Sequence, residues 1–388
     1  MSVRTPPTPT FPPGSNPGRS RAYNRGLVLG HLRTAGLGGR AEIARASGLT
    51  TQTVSNIIAD LKAEGLLREA GRRATGRGLP AVQYQIEPSG GFALGVEIRT
   101  DAIHMALLDL AGAARWSDRM ALDHADPDTV ATALNALRTT CVATTGIAET
   151  RLLGAGVVLP GPFGRTGLSD PATELPGWIG IDARATLEAA LSLPVVIEND
   201  ANAAAVAERL SGVARGLTHF AFVYFGIGLG LGLVSDGTLV RGACGNAGEL
   251  GHLRIDGMRL EDIASRLALS QRVAQAGLAA VTIEDLDQPN ATTLVKAWAQ
   301  EAGPALGNAI TILENLFDPQ TIILGGALPD KVLDHLIAHI PLSDTSLACR
   351  ADRDQPRLLR GSAGNLTATL GAGALMIDRL FTASLSST

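Results

Sequence analysis

The stretch AEIARASGLTTQTVSNIIADLKAEGLL, residues 41–67, decides how the front of this chain folds. Ala44, Gly48 and Val54 stand at the spacing of a helix-turn-helix: a small residue where two helices touch, a glycine that turns with positive φ, and a branched residue buried in the second helix. Thr50 or Thr51 can cap the free N–H groups that open that second helix. Val54, Ile57, Ile58 and Leu61 follow at i, i+3, i+4 and i+7, so one helical face is buried. The other face presents Thr51, Gln52, Thr53, Ser55 and Asn56, short polar groups suited to base edges and phosphates. An earlier helix, Arg21 to Thr34, would add Val28, Leu29 and Leu32 as the third support. Beyond Gly65-Leu66-Leu67 a β-hairpin is expected, carrying Arg72, Arg73 and Arg77 as a wing for phosphates or a minor groove. The competing reading of this segment is a three-helix bundle or protein-docking module with incidental charge.

Charge distribution favours the first reading. The whole chain carries −4, yet Arg19 to Gly78 holds 11 Arg and Lys against 4 Asp and Glu. A basic module on an acidic body suits a polyanionic partner for the first part alone. At 388 residues the chain is long enough for two or three domains, and its hydrophobic content of 45% can fill a sizeable core. No run approaches the roughly 20 apolar residues of a membrane helix, and no apolar stretch behind basic residues marks a secretory signal. The cysteines, Cys141, Cys244 and Cys349, are far apart, which argues against a disulfide framework and for a reducing cytoplasm.

Three regions follow: a Pro-rich, disordered tail over 1–19, the basic module over 20–88, and a large domain over 91–388, with Pro88-Ser89-Gly90-Gly91 as a linker. In the large domain, aliphatic runs alternate with Ala-rich helical segments, the texture of an α/β fold. Strands are expected at Phe92–Ile98, Ile103–Leu108, Leu152–Leu159, Val195–Ile197, Phe220–Phe225, Leu229–Val234 and Thr321–Leu324. Phe92 to Gly112 and Phe220 to Gly237 share one plan: strand, turn, strand, then aspartate and glycine. Two such hairpins suggest two related lobes.

Asn199 and Asp200 follow the short apolar strand at Val195–Ile197, so they should stand at a strand's carboxyl end beside a cleft. An amide next to a carboxylate can chelate neighbouring hydroxyls; the same pair also suits a helix N-cap. Glu249 and His252, three apart behind a Gly-Asn-Ala-Gly lead, could bind further hydroxyls, although a backbone carbonyl would satisfy His252 equally well.

The segments VVLPGP (157–162), LPGW (175–178), ENDANAAAVAE (198–208), GIGLGLGLVSDG (226–237), GNAGELGH (245–252) and ILGGAL (323–328) occur in that order. Together with the helix-turn-helix, this set resembles the ROK family of repressors and sugar kinases over roughly residues 20 to 380. It looks closest to the repressor branch, which includes regulators of xylose and N-acetylglucosamine operons. The resemblance implies a two-lobed α/β, actin-like and hexokinase-like (ASKHA) sensor domain behind an α+β winged helix-turn-helix. It also implies sugar ligands at Asn199, Asp200, Glu249, His252 and Glu261, with Gly161 against the sugar ring.

The chain departs from the family's kinases in three places. Their first phosphate turn reads Asp-Ile-Gly-Gly-Thr, in which glycines let backbone N–H groups approach the phosphate. Here it reads Glu97-Ile98-Arg99-Thr100-Asp101, and Asp101 is expected to repel a phosphate. The second turn, usually Gly-Thr-Gly, is Gly226-Ile227-Gly228. The zinc set of one histidine and three cysteines keeps only His252, because residues 253–265 hold no cysteine. The expectation is a sugar-responsive repressor that is no enzyme and needs neither ATP nor zinc. Asp200 would be a relic of the catalytic base. Its partners would be operator DNA, a sugar effector and further copies of itself, as homodimer or homotetramer, with no membrane. The alternative is an ATP-dependent sugar kinase.

Overall fold

The computed structural model describes residues 17–73, 80–159, 175–277, 286, 291–362 and 364–381. Arg77, Gly161 and the tail up to residue 16 lie outside these residues.

Helix α1 (Pro17–Ala35) starts before the expected Arg21 and takes in the end of the segment assigned to a tail, because proline is accommodated in a helix's first turn. A two-residue strand β1 (Gly38–Gly39), α2 (Arg40–Ser47) and α3 (Thr51–Ala63) follow. Gly48, at φ 70°, ends α2 in the left-handed conformation expected of the turn. Of the two threonines at the start of α3, Thr50 is the cap, accepting from the Thr53 N–H at 3.1 Å. Val28, Leu32, Ile43, Val54, Ile58 and Leu61 are all buried in one core. Strands β2 (Leu67–Arg73) and β3 (Ala81–Ile86) form the hairpin, and β1 completes a sheet of order β1-β3-β2.

The expected linker is instead a packed joint. Pro88–Gly90 forms a 3-10 turn. The Leu66 carbonyl accepts from the Glu87 N–H, and the Pro88 carbonyl from the Leu110 N–H. A Cβ on Gly90 would collide with the Gly65 carbonyl. The Arg151 guanidinium donates from one nitrogen to the Glu64 carbonyl at 3.1 Å and to the Gly90 carbonyl at 2.8 Å, pinning the front unit to the body.

The body contains two sheets built alike. In the first, β4 (Phe92–Ile98), β5 (Ala102–Asp109) and β6 (Ala114–Ala121) run antiparallel. After α4 (Pro127–Thr145), β7 (Leu152–Val158) joins β4 in parallel; after α5 (Ala183–Leu191), β8 (Val195–Glu198) joins β7. Helix α6 (Asp200–Ser211) leads to the second sheet, where β9 (Phe220–Phe225), β10 (Leu229–Ser235) and β11 (Thr238–Leu239) are again antiparallel. A small hairpin, β12 (Arg254–Ile255) and β13 (Met258–Arg259), precedes α7 (Leu260–Ala264), α8 (Arg266–Gln275) and α9 (Thr292–Phe317). Strand β14 (Thr321–Gly326) then pairs β9 in parallel, and beyond α10 (Asp330–Ala338), β15 (Leu358–Arg360) pairs β14. The orders β6-β5-β4-β7-β8 and β11-β10-β9-β14-β15 repeat one plan, as the two hairpins suggested.

The expected strands of the large domain are present, most extended by a residue or two, whereas β6, β15 and the two-residue strands β11, β12 and β13 were not foreseen. Strand β6, ARWSDRMA, lies at a sheet edge with mostly exposed side chains, so it lacks the apolar alternation that announces a strand.

Helix α11 (Thr367–Phe381) crosses the backs of β4 and β7 and packs along α6. The approach is backbone to backbone. A Cβ on Gly95 would enter the Thr369 carbonyl, one on Gly156 the Ala372 carbonyl, and one on Gly371 the Ala203 carbonyl. Gly156→Val should therefore lower the unfolding free energy by about 3 kcal/mol, an overpacking cost at the upper end of the ordinary range. It should appear as a lower urea midpoint at unchanged slope; an unchanged midpoint would contradict the packing described.

Candidate functional site

Two places hold the side chains singled out from the sequence: the junction of β8 and α6 with the turns around it, and the exposed face of the front unit. In the body, strand β8 ends at Glu198 and α6 begins at once, so Asn199 and Asp200 sit where strand becomes helix. Asn199 is the helix cap, its Oδ1 accepting from the Asn202 N–H at 2.8 Å. Its amide nitrogen is not used by the cap. Asp200 Oδ1 accepts from the Ala201 N–H at 2.8 Å, and Oδ2 lies 3.0 Å from where a Cβ on Gly226 would stand. From the other side, Glu261 Oε2 lies 3.2 Å from the corresponding position on Gly228. The turn Gly226-Ile227-Gly228 thus has one carboxylate on each flank. Its glycines leave room for both.

Glu261 is held by Arg259 at 2.9 Å and also lies against Gly251. That brings it to the Glu249–His252 turn. Glu249 is exposed as a residue, yet its carboxyl is raised above the ordinary value, mainly by desolvation; His252 opposes the rise and Glu261 adds to it. Asn199, Asp200, Glu249, His252 and Glu261 therefore all belong to one neighbourhood.

Residues 253–265 contain no cysteine, and among the described residues no three His, Cys, Asp or Glu side chains converge to hold a metal. The segment is closed by a hairpin turn, with Asp256 at φ 50° and Gly257 at φ 86°, and anchored by Ile255, Leu260 and Ile263 in the core.

Sequence reasoning missed the polar centre behind this cleft. Glu97 is 5% exposed; it accepts from Arg99 Nε at 2.8 Å and from the Thr369 hydroxyl at 2.9 Å. Burial holds the Tyr224 phenol well above its usual value, the Glu97 and Asp200 carboxylates add to this, and Arg99 and Arg266 oppose it. The arginine and not the aspartate of the first turn thus faces inward. Asp101, expected to repel a phosphate, is 72% exposed beside Arg119 at 3.6 Å, because the turn's tip points to solvent. Glu198 was quoted within ENDAN but given no role. It accepts from Asn202 Nδ2 at 3.0 Å and pairs with Arg241 at 2.8 Å, tying the start of α6 to the loop that leads to Glu249.

On the front unit, Thr51, Gln52 and Asn56 are exposed on α3, and Thr53 and Ser55 are half-buried. Gln52 Nε2 donates to Asn56 Oδ1 at 3.1 Å, which orders the two amides as a pair. Arg72 and Arg73 are exposed at the end of β2. A groove of about 650 Å³ runs between α2 and the hairpin, with Arg40, Arg45 and Arg73 on its walls and Glu42 among them. Arg40 lies over the Tyr84 ring, 5.1 Å from its centroid. Arg40 and Arg45 were not singled out from sequence; the basic count of the segment was their only signal.

The family pattern described as ROK family matches residues 93–379. Over 373 residues the chain is 26% identical to the xylose repressor of Bacillus subtilis (strain 168), covering 92% of this chain and 96% of that protein. It is 26% identical over 320 residues to the DNA-binding transcriptional dual regulator NagC of Escherichia coli (strain K12), covering 76% and 78%. Among solved structures, a ROK family transcriptional regulator described as a homolog of the E. coli MLC protein superposes with a TM-score of 0.69 at 26% identity, over 95% of this chain and 98% of that one. The ROK hexokinase from Thermus thermophilus gives 0.55 at 27% identity. It matches over 97% of its own length but only 73% of this chain.

The capping role of Asn199 is testable by itself. Asn199→Ala should lower stability by about 1 kcal/mol, whereas Asn199→Ser, which can still cap, should hold it. Equal denaturation midpoints for the two variants would count against the cap.

Proposed function

The chain belongs to the ROK family, and from that premise we propose that it is a sugar-responsive transcriptional repressor. In this reading residues 20–88 form a winged helix-turn-helix that binds operator DNA, and the cleft of residues 91–388 binds a sugar. The observation that carries the reading is the fusion itself. A unit of three helices and a hairpin, with polar groups on α3 and arginines on the hairpin, is joined to a two-lobed body. The regulator structure matches this combination over nearly its whole length, while the hexokinase leaves a quarter of it unmatched.

The chemistry of each end supports its assigned partner. The ordered Gln52–Asn56 pair can offer donors and acceptors to base edges. Arg40, Arg45 and Arg73 line a groove whose charge suits a phosphate backbone, with Arg72 next to Arg73 in β2; Arg77 would add a further cation. In the cleft, the Asn199 amide and the Asp200, Glu249 and Glu261 carboxylates with His252 form a set of donors and acceptors suited to a polyol; Gly161 would lie against its ring. A pentose, a hexose or an N-acetyl sugar each fits this chemistry.

The reading assigns no enzyme activity, zinc or ATP. Phosphoryl transfer relies on positioning and on neutralising phosphate charge. In the first turn Arg99 is engaged by Glu97 and no glycine opens the backbone, so neither requirement is met there. Asp200 then serves as a sugar ligand and not as a base. A homodimer or homotetramer would set two α3 helices in successive major grooves of a palindromic operator. To move the operator-bound population from 99% to 1%, the sugar must favour the released form by about 5.5 kcal/mol.

The decisive experiment combines operator titration with a thermal-shift panel of D-xylose, D-glucose and N-acetyl-D-glucosamine. One sugar should raise the melting temperature and change operator affinity; a sugar that binds without changing it would defeat the regulatory reading. Asp200→Ala should abolish the sugar response and leave operator binding intact. Replacing Arg72 and Arg73 together should reduce the salt slope of operator binding by about 2. In a coupled assay with ATP and the same sugars, turnover of about 1–100 per second would revive the sugar-kinase alternative.

A further inference from the structure

Three helices end at one carboxylate. Asp378, in the last turn of α11, accepts on Oδ1 from Arg33 Nη1 at 2.8 Å and from Arg209 Nη2 at 2.8 Å. Arg33 lies in the last turn of α1, on the front unit, and Arg209 in the last turn of α6, on the body. Their side chains are 26% and 19% exposed, and that of Asp378 is 21% exposed. Helix C-termini carry partial negative charge, so three of them meeting around a carboxylate require cations. The two guanidiniums supply the charge. Arg209 also donates to the Gly237 carbonyl, and Arg33 stacks over the Phe381 ring 5.4 Å from its centroid.

The other ends of α6 and α11 are both at the cleft. Helix α6 opens with Asp200, nine residues before Arg209; α11 carries Thr369, whose hydroxyl bonds Glu97 in the first turn, nine residues before Asp378. At 1.5 Å per residue each helix spans about 13.5 Å between cleft and junction. The helices touch through backbone at Gly371 and Ala203. One apolar cluster runs from α1 and α3 through Phe381 and α11 to α6. A shift of α6 relative to α11 at the cleft therefore reaches Asp378 as a change in the relative positions of its two arginine partners.

We propose that Asp378 is the positioning residue that couples the cleft to the front unit: it holds Arg209 and Arg33 at once, so the state of the cleft sets how α1 docks. The proposal rests on the sugar-responsive reading for its signal and goes beyond it in naming the contact that transmits it. A coupling claim needs an element that both sites bias; the element here is the shared carboxylate with its two guanidiniums.

The test uses the full chain. Asp378→Asn keeps the shape and removes the charge. With whichever of D-xylose, D-glucose or N-acetyl-D-glucosamine binds wild type, the variant's sugar affinity should stay within about twofold, while a sugar-induced change of about tenfold in operator affinity falls below about twofold. Arg33→Gln should behave the same way, and Asp378→Glu should restore part of the response. If Asp378→Asn and Arg33→Gln lower the melting temperature yet keep the full response, the contact is only structural and the proposal is wrong. A second readout needs no sugar: Asp200→Asn should alter amide exchange across residues 28–35 in wild type, and this change should vanish in the Asp378→Asn background. Persistence of the change overturns the coupling. A wild type that binds none of the sugars but passes the exchange test would sink the sugar reading and leave the Asp378 linkage standing.

Discussion

The structure depends on how closely α11 lies against its neighbours. Residues 95 and 156 on adjacent strands and 371 on the helix itself are glycines, and at each a single methyl group would meet a carbonyl oxygen. With side chains absent, peptide backbones of strand and helix lie in direct contact, and the packing tolerates no intermediate spacing. The same helix touches the first sheet, α6 and α1, so the geometry of the cleft and the seat of the front unit are set by one element.

The elements that the sequence announces are those whose burial is one-sided or complete. Helix α3 shows its buried stripe through Val54, Ile57, Ile58 and Leu61 because its other face is polar, and β4, β5 and β9 show as apolar runs because both faces are covered. Strand β6 is silent because its side chains are mostly in water and only its backbone pairs with β5. The supposed linker at residues 88–91 has the composition of a loose segment. What makes it a joint is the fit of Gly90 against the Gly65 carbonyl, a contact between residues 25 positions apart that no local pattern encodes. The duplicated sheet order was visible in outline, since each hairpin ends in the same aspartate and glycine.

The cleft was legible to a similar degree. Neighbouring residues such as Asn199 and Asp200 declare themselves by standing where a strand gives way to a helix, and the cap that Asn199 forms uses its Oδ1, so the proposed ligand role can draw on its amide nitrogen. The charges behind them were not legible. Glu97, Arg99, Thr369 and Tyr224 lie on separate segments and meet only in three dimensions. Reading the first turn as a string gave Asp101 the central part, whereas the fold turns that side chain outward and Arg99 inward. Charge sign was readable in one dimension; direction was not.

Besides the apolar contacts of α1 with α11, two polar fastenings hold the front unit, Arg151 to the Glu64 and Gly90 carbonyls and Arg33 to Asp378. Rotation about the line joining these two fastenings disturbs them least. Displacement then grows with distance from that line, so a small change at either fastening is levered into a larger sweep of the parts that lie farthest out.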